Sequence, residues 1–439
     1  MNARLRKLLG QLGESFWLIP AALVLAGTLL GVLMLRLDRG GLVPRWLIES
    51  DWVYNGGGTG ARTLLGVIAS STIGVAGTVF SITIAALSLA AGQMGPRLLR
   101  NFTRDRGNQI TLGAFLGTFA YALTVLRSVR TQDEGIFTPH LALTAGMALA
   151  FACVGLLVYF VGHMASRISV DTVIDLVSTD IRKALDALVE TARQPGTPPD
   201  SFWAGATPVP DPRQGYLQQL DENALADWAA AQGTALRLLV RRGSYVFPGA
   251  PIAVMTVNVP GAQEAILRAT ALGDNRGSTG DAEHAIRQLV EVAVRALSPG
   301  INDPNTAVSV LDRLGAALCG LAGRQLPNGV AVRDGRVVLV VPHAGYEGFV
   351  NVMFHMIRQN AARSTAVMIS LLDVLTAVIV CEPDVQRRAV LLHHADLVWA
   401  DAQREIANAG DLADIGRRRA LLQRTMEQGV LGAMGATGR

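Results

Sequence analysis

The chain has 439 residues, of which half are hydrophobic and only 17% charged, and its mean hydropathy is +0.33. That is too apolar for an ordinary soluble enzyme and suits a membrane region joined to a soluble one. The formal charge of +4 is small and many arginines lie near apolar runs, which argues against a nucleic-acid partner, since phosphate backbones call for a dense basic face.

Arg4, Arg6 and Lys7 precede a first apolar run, with Phe16 and Trp17 at its border. A secretory signal has a shorter apolar core and a cleavage site, so this run predicts an uncleaved membrane helix over 16–35. A linker with the glycine run Gly56–Gly58 leads to a second span over 64–92, which holds no charged residue. About 20 apolar residues suffice to cross a hydrocarbon core as a helix. Arg97, Arg100, Arg104 and Arg106 follow it as a basic flank. Gly66, Ser70, Gly74 and Thr78, each four apart, form a ridge of small residues on this helix. Such a ridge admits close backbone approach. It serves either a helix–helix contact inside one bundle or a pore wall between subunits.

Further spans are predicted over 110–126, where Gly113 and Gly117 interrupt the apolar surface, and over 141–161. Positive residues at the amino terminus and after the second and fourth helices outnumber those in the other two loops, which places both termini in the cytoplasm. No ionisable residue sits in the middle of a span, which disfavours a coupled transporter. Residues 1–165 thus read as a membrane domain. An amphipathic extension follows over 166–194, with Val173, Ile174, Val177, Ile181 and Leu185 at helical steps. This extension reads as the fourth helix prolonged into the cytoplasm.

A proline-rich connector over 195–212 opens a cytoplasmic α+β domain, 213–439. Gly215–Asp221 reads as a strand with Tyr216, Gln218 and Leu220 on one face, and Glu222–Gln232 as a helix. The spacing Gly243-x-x-Val246-x-x-Gly249 is similar to a turn of small lipoyl-type sandwiches, but no lysine stands at its tip. Asp281–Ser298 is an amphipathic helix with His284, Arg287, Glu291 and Arg295 on its polar face. These residues make either a ligand site or an ion-pair ladder, Arg287–Glu291–Arg295. In the corner Ser298–Ala307, Asp303 followed by Pro304 predicts a new helix with a side-chain cap. Asn302 and Asp303 are retained as candidate site residues beside that stripe. Asp334–Gly335 predicts a two-residue hairpin turn. The apolar run from Val367 to Val380 is too short for a span and contains Asp373, so it predicts a buried core helix. Two arginine-rich helices close the chain, over Asp384–Asn408 and Asp411–Gln428. No catalytic constellation, metal site or cofactor motif is found: His393 and His394 are adjacent and cannot share a helix face, and Cys153, Cys319 and Cys381 lie in no CxxC pair.

Three stretches carry a resemblance: the second span with its basic flank, RQLVEVAVRALSPGINDPNTA from Arg287 to Ala307, and GYLQQLD from Gly215 to Asp221. The chain resembles the bacterial family catalogued as domain of unknown function 2254, described as a predicted membrane protein. Members often carry an aromatic where Asn305 stands here, and an Arg-Thr pair where Ser278–Thr279 stand. The resemblance implies a polytopic bacterial membrane protein with a large carboxy-terminal cytoplasmic domain and implies no activity.

The expectation is therefore an α-helical plasma-membrane protein with four transmembrane helices and a carboxy-terminal α+β cytoplasmic domain. It is no enzyme and takes no cofactor; its partners are the lipid bilayer, copies of itself and a small ligand or ion. The first functional expectation is an oligomeric channel gated by the cytoplasmic domain. The alternative is a membrane-anchored sensor or scaffold binding a ligand or protein through that domain.

Overall fold

The computed structural model describes residues 16–40, 57–94, 105–129, 137–167, 169–189, 195–274, 276 and 281–429. The basic amino terminus, the glycine run through Gly56, the flank Arg97, Arg100 and Arg104, and Ser278–Thr279 lie outside the described residues. The chain divides into two compact units, Gly10–Ser169 and a second that takes in Val170–Arg439.

Among its described residues the first unit contains four helices long and apolar enough to cross a membrane: α1 (Leu18–Arg39), α2 (Gly58–Met94), α3 (Arg106–Leu126) and α4 (His140–Arg167). α2, α3 and α4 take in their expected spans and run beyond them at one or both ends, whereas α1 starts two residues after its expected start at Phe16 and runs four beyond its expected end at Leu35. Its tightest seam is between α1 and α3. Gly27 and Gly31 on α1, and Gly113 and Gly117 on α3, are two glycine pairs at a four-residue spacing. A Cβ built on Gly27 would lie 2.2 Å from the Gly117 carbonyl oxygen, and one built on Gly117 would lie 2.7 Å from that of Leu23. Two helices can approach this closely only where neither presents a side chain, the packing mode expected where lipid supplies no hydrophobic drive.

The ends are tied by polar side chains. Asp38, at the end of α1, accepts from the Leu141 and Ala142 amides at 3.0 Å each and so caps α4. Asp105 caps α3 through the Gly107 amide and lies 2.7 Å from His163 Nε2 on α4. Inside, the Tyr121 hydroxyl donates to the Ala142 carbonyl. Each bond removes a polar atom from an apolar setting in which it would otherwise go unsatisfied.

The second unit begins with α5 (Val170–Leu188), a helix separate from α4, since Ser169 is not helical. The prolongation of the fourth helix expected from the sequence is corrected to this break. Val173, Ile174, Val177, Ile181 and Leu185 of α5 are buried, against α8 (Ala282–Ala296) and α9 (Pro304–Leu321). Among the described residues eight short strands form two sheets. One runs in the order β1 (Thr207–Pro210), β5 (Pro251–Met255), β3 (Leu236–Leu238), β8 (Arg336–Val340), β7 (Val330–Arg333), antiparallel except between β3 and β8. The other runs β4 (Tyr245–Val246), β2 (Gly215–Leu220), β6 (Thr270–Gly273). The lipoyl-like turn is part of this two-sheet arrangement: β4 lies inside it and belongs to the second sheet, whereas β3 and β5 on either side are neighbours in the first.

Strand β2 departs from simple alternation. Leu217 pairs with Leu272 and Gln219 with Ala271, leaving Gln218 as a bulge. The extra residue turns Leu220 to the same buried side as Leu217, not to the side of Tyr216. Both leucines join a core with Leu225 of α6 (Glu222–Ala231), Leu236, Ile252, Leu339 and Ile266 of α7 (Ala262–Ala269). Asp334 and Gly335 both take positive φ, 50° and 74°, as the tight hairpin turn requires. The remaining helices are α10 (Tyr346–Asn360), α11 (Thr365–Cys381), α12 (Val385–Glu405) and α13 (Ala409–Gln428). The apolar run on α11 is a core helix within this unit: Leu371, Leu372, Leu375 and Val378 are buried.

Candidate functional site

The amino-terminal turn of α8 gathers several charged side chains of the second unit. Asp281 caps the helix by accepting from the His284 amide. Glu283, in the first turn, is buried and receives three guanidinium groups. Arg241 reaches its Oε2 at 2.8 Å, Arg276 its Oε1 at 3.4 Å, and Arg287 the same oxygen at 2.7 Å. One buried carboxylate among three partly exposed guanidinium groups leaves the group with surplus positive charge.

The arginines arrive from separate places. Arg241 and Arg242 sit in the turn after β3, where the Ser244 amide bonds the Arg241 carbonyl at 3.0 Å. Gly243, at φ +82°, allows that turn to close. Arg242 pairs with Glu222 at 3.2 Å and bonds the Leu220 carbonyl. Together Arg241, Arg242, Glu222, Asp281 and Glu283 line a cavity of about 170 Å³. Its other walls are Leu188, the last residue of α5, and Pro327, Val341, Pro342, His343 and Phe349. Burial pushes the Asp281 carboxyl above the ordinary carboxylate range; the His284 amide draws it back, and the neighbouring Glu283 charge raises it further.

The sequence-derived site is thus only partly assembled. Arg287 belongs to the cluster, but it turns back to Glu283 instead of forward to Glu291, which replaces the first rung of the expected ladder. His284 contacts Gln288, one turn on along the same helix. Arg295 offers its carbonyl to the Ser298 hydroxyl. Asp303 caps α9 through the Thr306 amide and hydroxyl, and the hydroxyl above all holds its carboxyl below the usual range. Asn302 supplies the left-handed residue of the corner, φ 49°, a conformation that asparagine tolerates. Neither lines the cavity. Sequence reasoning missed Arg241, Arg242, Arg276 and Glu283. The consecutive arginines before a glycine were the one local signal for two of them.

The ridge on α2 points away from the first unit's own packing. A Cβ built on Gly66 or Gly74 meets nothing within 4 Å, and Ser70 and Thr78 are exposed. The contact inside one bundle is therefore not made by this ridge among the described residues; the α1–α3 glycines make it instead. Elsewhere, burial chiefly, and then the neighbouring Cys381 thiol at the end of α11, lift the Cys319 thiol near the end of α9 to about 12. His394 is buried against His355 and Asn351. Among the described residues no group of three or more His, Cys, Asp or Glu side chains is placed to hold a metal ion.

The sequence pattern of the family described as "Predicted membrane protein", domain of unknown function 2254, matches residues 13–377. The chain is also similar to uncharacterized proteins of Mycobacterium tuberculosis, strains CDC 1551 and H37Rv, and of Mycobacterium bovis. Each is 34% identical over 428 residues, spanning 94% of this chain and 81% of the relative. No solved structure matches it.

Proposed function

Since the chain belongs to this family of predicted membrane proteins, we propose that it is a membrane-anchored sensor of a small anion in the bacterial plasma membrane. In this reading the four apolar helices are the anchor and both termini are cytoplasmic. The observation that carries it is the cavity beside Glu283, where three guanidinium groups converge on one buried carboxylate. The cavity wall includes Leu188, the carboxy-terminal residue of α5, and α5 follows α4, the fourth of the candidate membrane helices, in the chain. An occupant touching Leu188 alters the freedom of that helix, so occupancy has a route toward the anchor.

The test is a panel of small anions against the full chain in mild detergent, read by thermal unfolding and by amide exchange. At least one anion should raise the melting temperature and slow exchange in α5, and Arg241→Gln should abolish both effects. If no anion acts, or if the response persists in Arg241→Gln, the sensor reading fails.

A second reading, an oligomeric channel, is favoured by the bare ridge Gly66, Ser70, Gly74 and Thr78, which leaves room for a neighbouring backbone. Light scattering in detergent, corrected for the micelle, tests it. Three or more subunits per particle support a central pore, and a clean monomer overturns it.

A further inference from the structure

If the cavity beside Glu283 binds an anion, as the sensor reading requires, its walls also constrain which anion. Arg241 and Arg242 are consecutive, and in a strand they would face opposite ways. The turn closed by Gly243 instead sets both on the wall of one cavity. Each is held by a partner that can share it. Glu283 keeps Arg276 and Arg287 if Arg241 leaves it, and Glu222, the partner of Arg242, is partly exposed. The two guanidinium groups are therefore available to an incoming ligand without stripping a buried carboxylate of its cations.

Two planar guanidiniums offer two forks of parallel N–H donors. A carboxylate has two oxygens and fills one fork; a phosphoryl group has three terminal oxygens and engages both. Charge points the same way. Arg241 and Arg242 on the cavity wall, with Arg276 and Arg287 outside the wall on Glu283, stand against Glu222, Asp281 and Glu283, a surplus of one positive charge over the whole group. A phosphoryl group carries about −1.5 to −2 near neutrality. The volume, about 170 Å³, falls below the roughly 300 Å³ at which drug-sized sites begin, so the occupant is small. Leu188, Pro327, Val341 and Phe349 give any organic portion an apolar wall.

We infer that the cavity between the Arg241–Arg242 turn and the start of α8 binds a phosphoryl group, free as phosphate or borne on a small ester or headgroup, in the two arginine forks. The test is titration calorimetry on the full chain in mild detergent with four probes: inorganic phosphate, phenyl phosphate, dioctanoyl phosphatidate and succinate. A phosphoryl probe should saturate one site per chain and bind at least ten times more tightly than succinate. Arg241→Gln and Arg242→Gln should each weaken it about 10- to 100-fold, the range for one lost charge-assisted bond. Arg241→Lys should weaken it too, since charge remains and the fork is lost. Arg313→Gln, which removes an exposed pair with Asp175, should leave binding unchanged. Should Arg241→Gln fail to fold, Arg242→Gln carries the test, because its partner is not buried.

Tighter binding of phosphatidate than of inorganic phosphate identifies a lipid headgroup as the source, and the reverse identifies a soluble phosphate. Succinate binding as well as phosphate, with the same loss in both variants, overturns the phosphoryl assignment and leaves the anion site standing. No binding by any probe overturns both. Phosphate binding that survives both glutamine variants places the ligand elsewhere and overturns the inference.

Discussion

Replacing Gly27 by alanine adds one methyl group where the α1–α3 seam has no room for it. The new carbon would start 2.2 Å from the Gly117 carbonyl oxygen, and ordinary contact begins near 3.4 Å. The backbones must therefore part by about 1.2 Å, the difference of those two values. Gly117→Ala, at 2.7 Å from the Leu23 oxygen, demands about 0.7 Å. Backbone cannot rotate aside as a side chain does, so overpacking of this kind costs about 1–3 kcal/mol. Alanine returns about 0.5–1 kcal/mol of helix propensity, which from the middle of the overpacking range, about 2 kcal/mol, leaves a net loss of about 1–1.5 kcal/mol at Gly27. That corresponds to a fall of roughly 2–6 °C in the melting temperature for a unit of this size. The control is internal to the protein: Gly66 and Gly74 on α2 have nothing within 4 Å of the added carbon, so alanine there should be neutral or slightly stabilising. Thermal unfolding of the four variants in dodecyl maltoside, followed by tryptophan fluorescence and size exclusion, makes the comparison. Equal losses at both pairs would refute the packing argument. A loss confined to Gly66 and Gly74 would mean that the ridge has a partner and the α1–α3 seam is not as tight as described.

Other expectations are local. His394 is held neutral, its pKa pushed down to about 4 mainly by burial, then by His355, His393 and Arg358. The unfolded chain binds this proton near pH 6.5, so the stability is fully present above that pH and drains away as pH falls toward 4. The loss amounts to about 3 kcal/mol. His394→Asn should flatten the dependence of melting temperature on pH between 6.5 and 4, and an unchanged slope in that variant would assign the acid sensitivity elsewhere. Asp401 pairs with the buried Arg358 and with Arg404. Asp401→Asn leaves a buried cation short of its counter-charge and should cost about 3–5 kcal/mol in denaturant titration; a loss under 1 kcal/mol would show that Arg358 finds solvent. Asp303→Ala should cost about 1 kcal/mol through the lost α9 cap and leave anion binding intact, whereas a loss of binding would restore the corner to the site.

Much of the architecture was legible because it rests on local pattern. Uncharged runs marked the four apolar helices, Asp303-Pro304 marked the start of α9, and Asp334-Gly335 marked the hairpin. The length of the Val367–Val380 run and its internal Asp373 separated a core helix from a membrane span. What escaped is non-local. Gly27 and Gly31 acquire meaning only beside Gly113 and Gly117, more than eighty residues later, whereas the longer ridge of α2 shows in its own spacing, although a Cβ added at Gly66 or Gly74 meets nothing among the described residues. The bulge at Gln218 is set by β6 and not by β2, and it reversed the expected face of Leu220. The site shows the same division. Arg287 stood out on its helix, yet its partner is Glu283 and its companions come from a turn 46 residues earlier, as 287 − 241 shows. Helical spacing offers Arg287 two acidic partners, one turn either way, and only the gathered arginines decide between them.

The Asp38 carboxylate has a bearing on how the first unit is made. It provides the amino-terminal cap of α4 across 103 residues of chain, at a point where Pro139 offers the helix no capping side chain of its own. During synthesis α1 emerges first and α4 last, so this cap can form only when the whole bundle is present. The start of α4 is accordingly checked by the oldest helix in the set, and a chain stopped after α3 carries an Asp38 with its capping partners missing. Asp38 thus closes the set: its bonds to the Leu141 and Ala142 amides exist only once the first and the last of the four helices are both in place.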